Sequence, residues 1–303
     1  MFVKKLMLFF LGAVFAVLLN SGCSGKSDDG DGKISVVCGL PPTAFIASEI
    51  GGERVSVSSM LPEGRSPHDY APRPADIRRA GAAAFFFTTG MNFEKNAVRA
   101  LPEQVKVINV ASGIRRRHFD DGHGCCDGHG ADHDHSSEEA LDPHVWLSPA
   151  NAILIARTIC DALISKDPAH AGTYRKNFER FKEKCDSIDA RSRRLLSPYA
   201  GREFLVYHPA FGYFADAYKL KQHPLEINGR EMSGTQLAAV IAKARKENIS
   251  VVFVQVQFNP RIAQELARRI NGKAVPLDPL AYDLTGNFEK MTDAIRSGFG
   301  GDK

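Results

Sequence analysis

The sequence predicts an α/β protein of two lobes, each with a mostly parallel sheet flanked by helices, joined by one long rigid helix. Three observations predict it. Short apolar runs alternate with amphipathic segments, the pattern of parallel strands covered by helices. The chain has 303 residues, and the roughly 270 left after an export signal exceed one ordinary core and suit two. Between the halves, Tyr174, Phe178, Phe181, Cys185, Ile188, Leu195 and Leu196 recur at three- and four-residue steps among charged residues. That stripe reads as one unbroken helix of about 24 residues, about 36 Å long, a stiff strut down the side of both lobes.

The elements follow in order. In the first half, apolar runs at Ile34–Cys38, Val55–Met60, Ala83–Thr88 and Val105–Val110 read as strands, and Thr43–Ile50, Pro74–Ala80, Glu94–Ala100 and Pro149–Ser165 as helices. Ser148 and Pro149 start the last of these, because proline at the first helical position lacks the amide that would otherwise go unpaired. In the second half the strands are Phe204–Tyr207, Pro224–Ile227, Val251–Val256 and Ala274–Leu277, and the helices Ala210–Tyr218, Gly234–Lys246, Pro260–Ile270 and Phe288–Ser297. Ser233 with Gln236 forms a capping box, and Asn259-Pro260 a cap with a first-turn proline.

Lys4 and Lys5 precede an apolar run from Leu6 to Leu19 that is too short to span a bilayer, which needs about 20 residues, and that matches an export signal. Residues 1–22 are read as that signal and 23–32 as a flexible tether rich in Gly, Ser and Asp. Residues 33–170 then form the first lobe, 171–198 the linking helix and 199–303 the second lobe. Cys23 after small residues resembles the lipidated cysteine of bacterial lipoproteins. The formal charge of +4 falls to +2 without the signal's two lysines, and no nucleic-acid footprint is implied. Six cysteines are poorly placed for a disulfide framework: Cys38 lies in a strand, Cys125 and Cys126 are neighbours in a polar loop, and Cys160 and Cys185 fall on apolar helix faces. A Cys160–Cys185 bridge stays open.

Chemistry concentrates at three histidines in matching contexts. His68 lies in Ser66-Pro67-His68-Asp69-Tyr70, His144 in Asp142-Pro143-His144-Val145-Trp146, and His208 in Tyr207-His208-Pro209-Ala210-Phe211. Each sits beside a proline in a loop that follows a strand or opens a helix, so its ring is fixed relative to rigid structure. Asp278 in Leu277-Asp278-Pro279-Leu280 adds a carboxylate at the end of a late strand. Three imidazoles with one carboxylate suit tetrahedral zinc, whereas manganese prefers more carboxylate oxygen.

These segments, with His208-Pro209-Ala210-Phe211-Gly212-Tyr213-Phe214, resemble the zinc-type solute-binding proteins of bacterial metal-uptake ABC transporters, a family with manganese-type members. The resemblance runs from about Ile34 to the end. It implies two α/β lobes joined by a long helix, a metal in the cleft between them, His68, His144, His208 and Asp278 as ligands, membrane permease subunits as partners, and a monomer. Manganese-type members carry a carboxylate where His208 stands. Gln255 and Met232 depart from the residues common in relatives, at positions expected not to touch the ligands.

Residues 118–135 hold five histidines, His118, His123, His129, His133 and His135, with five aspartates and two cysteines. Relatives often carry such a loop, and the segment is expected to collect zinc weakly. A zinc hydrolase is disfavoured, since no His-Glu-x-x-His occurs and the site is expected to be closed by Asp278. A surface adhesin-like lipoprotein with incidental metal is the other class to weigh. Because imidazole must lose its proton to coordinate, affinity is expected to fall below about pH 6.

Overall fold

The computed structural model describes residues 32–119, 141–227, 230–258 and 260–300. Its first lobe is built from β1 (Ile34–Cys38), α1 (Pro41–Gly51), β2 (Val55–Ser59), α2 (Pro74–Gly81), β3 (Phe85–Thr88), α3 (Asn92–Ala100), β4 (Lys106–Asn109) and α4 (Pro149–Lys166). All four strands are parallel, in the order β2-β1-β3-β4. The central strands are buried on both faces, as Val36, Val37, Cys38 and Phe85 to Phe87 show, which is why they read as continuous apolar runs.

The second lobe contains β5 (Glu203–Val206), α6 (Gly212–Ala217), β6 (Lys221–Pro224), β7 (Glu226–Ile227), β8 (Arg230–Glu231), α7 (Gly234–Lys246), β9 (Val251–Gln255), α8 (Pro260–Arg269), β10 (Lys273–Leu277) and α9 (Leu284–Gly298). Its parallel sheet runs β10-β9-β5-β6, and β7 and β8 form a separate antiparallel pair. Side chains alternate between two cores: Phe204, Val206, Val251 and Phe253 join the large core, while Leu205, Val252 and Val254 join a second one under α7 and α8.

The predicted strut is α5 (Ala171–Leu196), 26 residues and about 39 Å long. It buries Tyr174, Phe178, Phe181, Cys185, Ile188, Ser192 and Leu196 against α1 and α4 of the first lobe and α9 of the second. The large core includes residues of both sheets and of α5. Two polar pins fix the ends: Asn177 Nδ2 donates to Ile50 O at 2.9 Å, and the buried Ser192 and Thr292 hydroxyls meet at 2.7 Å.

Several expectations shift at their edges. The strand read at Pro224–Ile227 is instead β6 over Lys221–Pro224, and Leu225 turns away by donating its amide to Val206 O and Tyr207 O. Helix α9 starts four residues earlier than read, because the Asp283 side chain accepts from Gly286 N. The Ser233–Gln236 capping box forms as read, whereas Ser148 occupies the cap position of α4 without a side-chain capping bond. Cys38, Cys160 and Cys185 are buried free thiols, so the bridge left open is not made. Among the described residues no helix is long and apolar enough to cross a membrane. The export signal, Cys23, Asn259, and His123, His129, His133 and His135 lie outside the described residues.

Candidate metal centre

Parallel sheets gather functional loops at the carboxyl ends of their strands, and this chain follows suit. His68 lies in the loop after β2, His208 two residues beyond β5, Gln255 ends β9, and Asp278 follows β10 directly. His144 comes from the segment that leads into α4. Together they bring one ligand nitrogen from each of His68, His144 and His208 within 4.8 Å of one another. Ring centroids stand 4.6 Å apart for His68–His208, 5.1 Å for His144–His208 and 5.5 Å for His68–His144.

Two of the three rings are held by carboxylates. His144 Nδ1 donates to Asp142 Oδ1 at 2.9 Å, and the same oxygen accepts the His144 amide at 2.9 Å. His208 Nδ1 donates to Glu226 Oε1 at 2.5 Å. A carboxylate can only accept, so each Nδ1 carries a proton and Nε2 is the atom each ring has left to offer a metal. Those two Nε2 atoms face each other at 3.3 Å. Two tetrahedral ligands at a Zn–N distance of about 2.0–2.1 Å would stand about 3.3–3.4 Å apart. Beside them lies a cavity of about 10 Å³, bounded by all three histidines with Gln257, Phe258, Pro279 and Leu280, a volume that admits about one water-sized sphere.

Burial and aromatic walls set the electrostatics. His144 and His208 are buried, while His68 is the solvent-facing member. Phe258 stacks on His208, Phe119 lies parallel to His144, and Trp146 meets His144 edge-on. Desolvation lowers the pKa of His68, helped by the neighbouring His144 and His208. Desolvation also lowers that of His144, against the opposing pull of Asp142. Both changes favour the neutral, metal-binding imidazole.

Asp278 is placed differently. Its Oδ1 accepts from Gln257 Nε2 at 2.7 Å and from Leu280 N at 2.9 Å, and it is not part of the group formed by the three histidines. His118 is exposed and forms an isolated bridge with Leu141, and it is not part of the group formed by the three histidines.

Sequence reasoning missed three supports. Glu226 gave only a weak signal, an acid inside Leu225-Glu226-Ile227. Gln255, expected to leave the ligands alone, brackets His208: its Oε1 accepts the His208 amide at 3.1 Å and its Nε2 donates to the His208 carbonyl. Arg117 binds Asp142 Oδ2 through Nη1 at 3.0 Å and Asp216 Oδ2 of α6 through Nε at 2.8 Å. It thereby ties the carboxylate that orients His144 to the other lobe. Gly212 leaves room for this link, since a Cβ there would sit 1.9 Å from Arg117 Nη1.

Removing the hydrogen bond behind His208 tests the arrangement. Glu226→Gln is expected to weaken metal binding by roughly 10–100-fold, the usual cost of a lost partner behind a metal-binding histidine. Titration calorimetry reads it, and affinity within twofold of wild type would show that Glu226 does not orient the ring.

Two α/β lobes with a rigid imidazole cluster between them define a metal-capturing solute-binding protein. The chain belongs to the zinc-uptake complex component A family (ZnuA), described as periplasmic, which matches residues 36–298. It is 28% identical over 297 residues to the high-affinity zinc uptake system protein ZnuA of Bacillus subtilis, covering 92% of this chain and 90% of that protein. It is also 28% identical over 274 residues to the manganese ABC transporter substrate-binding lipoprotein PsaA of Streptococcus mitis, covering 88% and 87%. The fold matches a crystal structure of ZnuA with a TM-score of 0.79 at 28% identity, over 88% of this chain and 99% of that one. This protein is therefore a metal-binding substrate-binding component of an ABC transporter, and not an enzyme.

Proposed function

We propose that the protein captures Zn(II) outside the cytoplasm and delivers it to the membrane permease of a zinc ABC transporter. The observation that carries this reading is the pair of Nε2 atoms facing each other at 3.3 Å, each on a ring whose Nδ1 is committed to a carboxylate. With each Nδ1 so committed, the two Nε2 atoms are the ones turned toward each other, and a cation between them would take one bond from each ring. A third nitrogen from His68 makes the donor set imidazole-rich, which suits zinc better than manganese. Asp278 is the proposed fourth ligand, reached by exchanging its Gln257 hydrogen bond for the metal. His118, His123, His129, His133 and His135 are the proposed weak collectors, and lipidation at Cys23 the proposed anchor.

Metal analysis of untagged protein, followed by competition between Zn(II) and Mn(II), tests the reading. About one equivalent of zinc, displaced poorly by manganese, is expected; manganese bound in preference would overturn the assignment.

The lowered pKa values of His68 and His144 refine the pH dependence. Protons compete with metal only when pH approaches the free-state pKa, so depressing that pKa moves the competition to lower pH. Affinity measured by calorimetry from pH 7.5 to 5.5 is expected to decline less steeply than for exposed histidines, with the main loss below the ordinary imidazole value of about 6.5. A tenfold or larger loss already between pH 7.5 and 6.5 would contradict it.

A further inference from the structure

We propose that the cleft beside His68 binds a small organic polycarboxylate, so that the ion is taken as a chelate whose anion donates to the metal while its other carboxylates are held by Lys95, Arg116 and Asn109. The inference rests on the metal reading of the three imidazoles and names what accompanies the ion.

The cleft has a volume of about 630 Å³, within the range of small-molecule sites. Pro67 and His68 line both it and the small cavity at the imidazole cluster. A ligand lying in the cleft therefore reaches the solvent-facing side of the cluster. Three imidazoles and Asp278 make four donors, and zinc can expand to five, so an outside oxygen donor finds a place on the ion from the side of His68.

Among the described residues the lining is rich in donors. Lys95, Arg116, Asn92 and Asn109 supply its polar side chains beside His68, and among the described residues neither Asp nor Glu lines it. Arg116 is pre-positioned: its Nη2 donates to Thr89 O at 3.0 Å, and it passes over Gly90, where a Cβ would stand 3.2 Å from that nitrogen. Gly90 also has φ +100°, a conformation that suits glycine. Asn109 is oriented as well, because its Oδ1 accepts the Ala111 amide at 3.0 Å. Its Nδ2 is left to donate, and it lies 3.8 Å from the same Gly90 Cβ position. Lys95 is exposed and has no ion pair among the described residues.

The wall behind these donors is rigid. Glu94, fully buried, accepts the amides of Thr89, Gly90 and Met91 at 2.9, 2.8 and 2.9 Å. Those amides are thus committed, and anion binding falls to the side chains. Apolar Met91, Phe119, Leu141 and Pro143 complete the lining and suit a carbon skeleton better than an inorganic ion. Guanidinium, ammonium and amide donors flanking a dication match carboxylates spread along such a skeleton.

The test uses the full chain loaded with one equivalent of Zn(II), titrated with citrate and, separately, with inorganic phosphate. Citrate is expected to bind one to one with zinc retained through gel filtration, and to bind at least about tenfold more weakly in Lys95→Gln and in Arg116→Gln. Zinc affinity without citrate should be unchanged in Lys95→Gln, which leaves the Arg116–Thr89 contact in place. Citrate that strips the zinc, fails to bind, or binds Lys95→Gln as well as wild type overturns the proposal, as does phosphate binding with equal affinity. Failure of wild type to take up zinc without any citrate instead sinks the metal reading beneath it.

Discussion

His208→Ala is expected to weaken zinc binding by more than about 100-fold, beyond the roughly 10–100-fold that loss of a partner behind a ligand costs. The substitution deletes one of the two nitrogens that face each other at 3.3 Å. It also strands Glu226, which is buried and loses its His208 partner. Gln255 binds only the backbone of residue 208, so the loop keeps its shape and the loss is read as lost coordination. Circular dichroism and calorimetry separate the two effects. His208→Glu is the sharper variant: it exchanges nitrogen for oxygen beside the Glu226 carboxylate, and it is expected to raise manganese affinity relative to zinc by about tenfold or more. Like charges at that spot also repel, so absolute zinc affinity falls too. A metal ranking identical to wild type would remove the link between donor type and selectivity.

How much of this was legible differs from element to element for physical reasons. The histidine loops could be read because each ligand sits beside a proline next to a strong strand or helix signal. The strut could be read because its stripe of large apolar residues keeps helical spacing over about six turns, from Tyr174 to Leu196. Strand β6 was shifted because Lys221-Gln222-His223-Pro224 has no apolar alternation. It is an edge strand, where proline and polar residues are tolerated, and its pairing with β5 depends on a neighbour distant in sequence. Glu226 and Gln255 escaped for a related cause. Each meets His208 only through the arrangement of β5, β6 and β9, and no local pattern encodes a contact across strands. Asp142 was in view all along, two residues before His144, but its role emerged only from the bond to Nδ1. Arg117 had no signal at all, since its partners Asp142 and Asp216 lie on different lobes.

Phe181→Ala is expected to lower the unfolding free energy by about 3–5 kcal/mol, the usual cost of emptying a buried phenylalanine site. Phe181 is 1% exposed and lies midway along α5, in a core that contains β1 and β3 of the first lobe and β5 and β9 of the second. The helix therefore acts as a shared wall, and loosening it should destabilise both lobes together. Urea unfolding followed by fluorescence can report this, because the chain has one tryptophan, Trp146, fully buried beside His144. Its indole donates to Pro279 O at 2.7 Å, so it senses separation of the first lobe from the Asp278 loop. One transition at a lower midpoint with an unchanged slope is expected. Zinc affinity under folding conditions should stay within about twofold, since Phe181 is not among the residues around the cluster. Two resolved transitions would show that the lobes unfold independently, and a cost below about 1 kcal/mol would show that α5 is not the common support of their core.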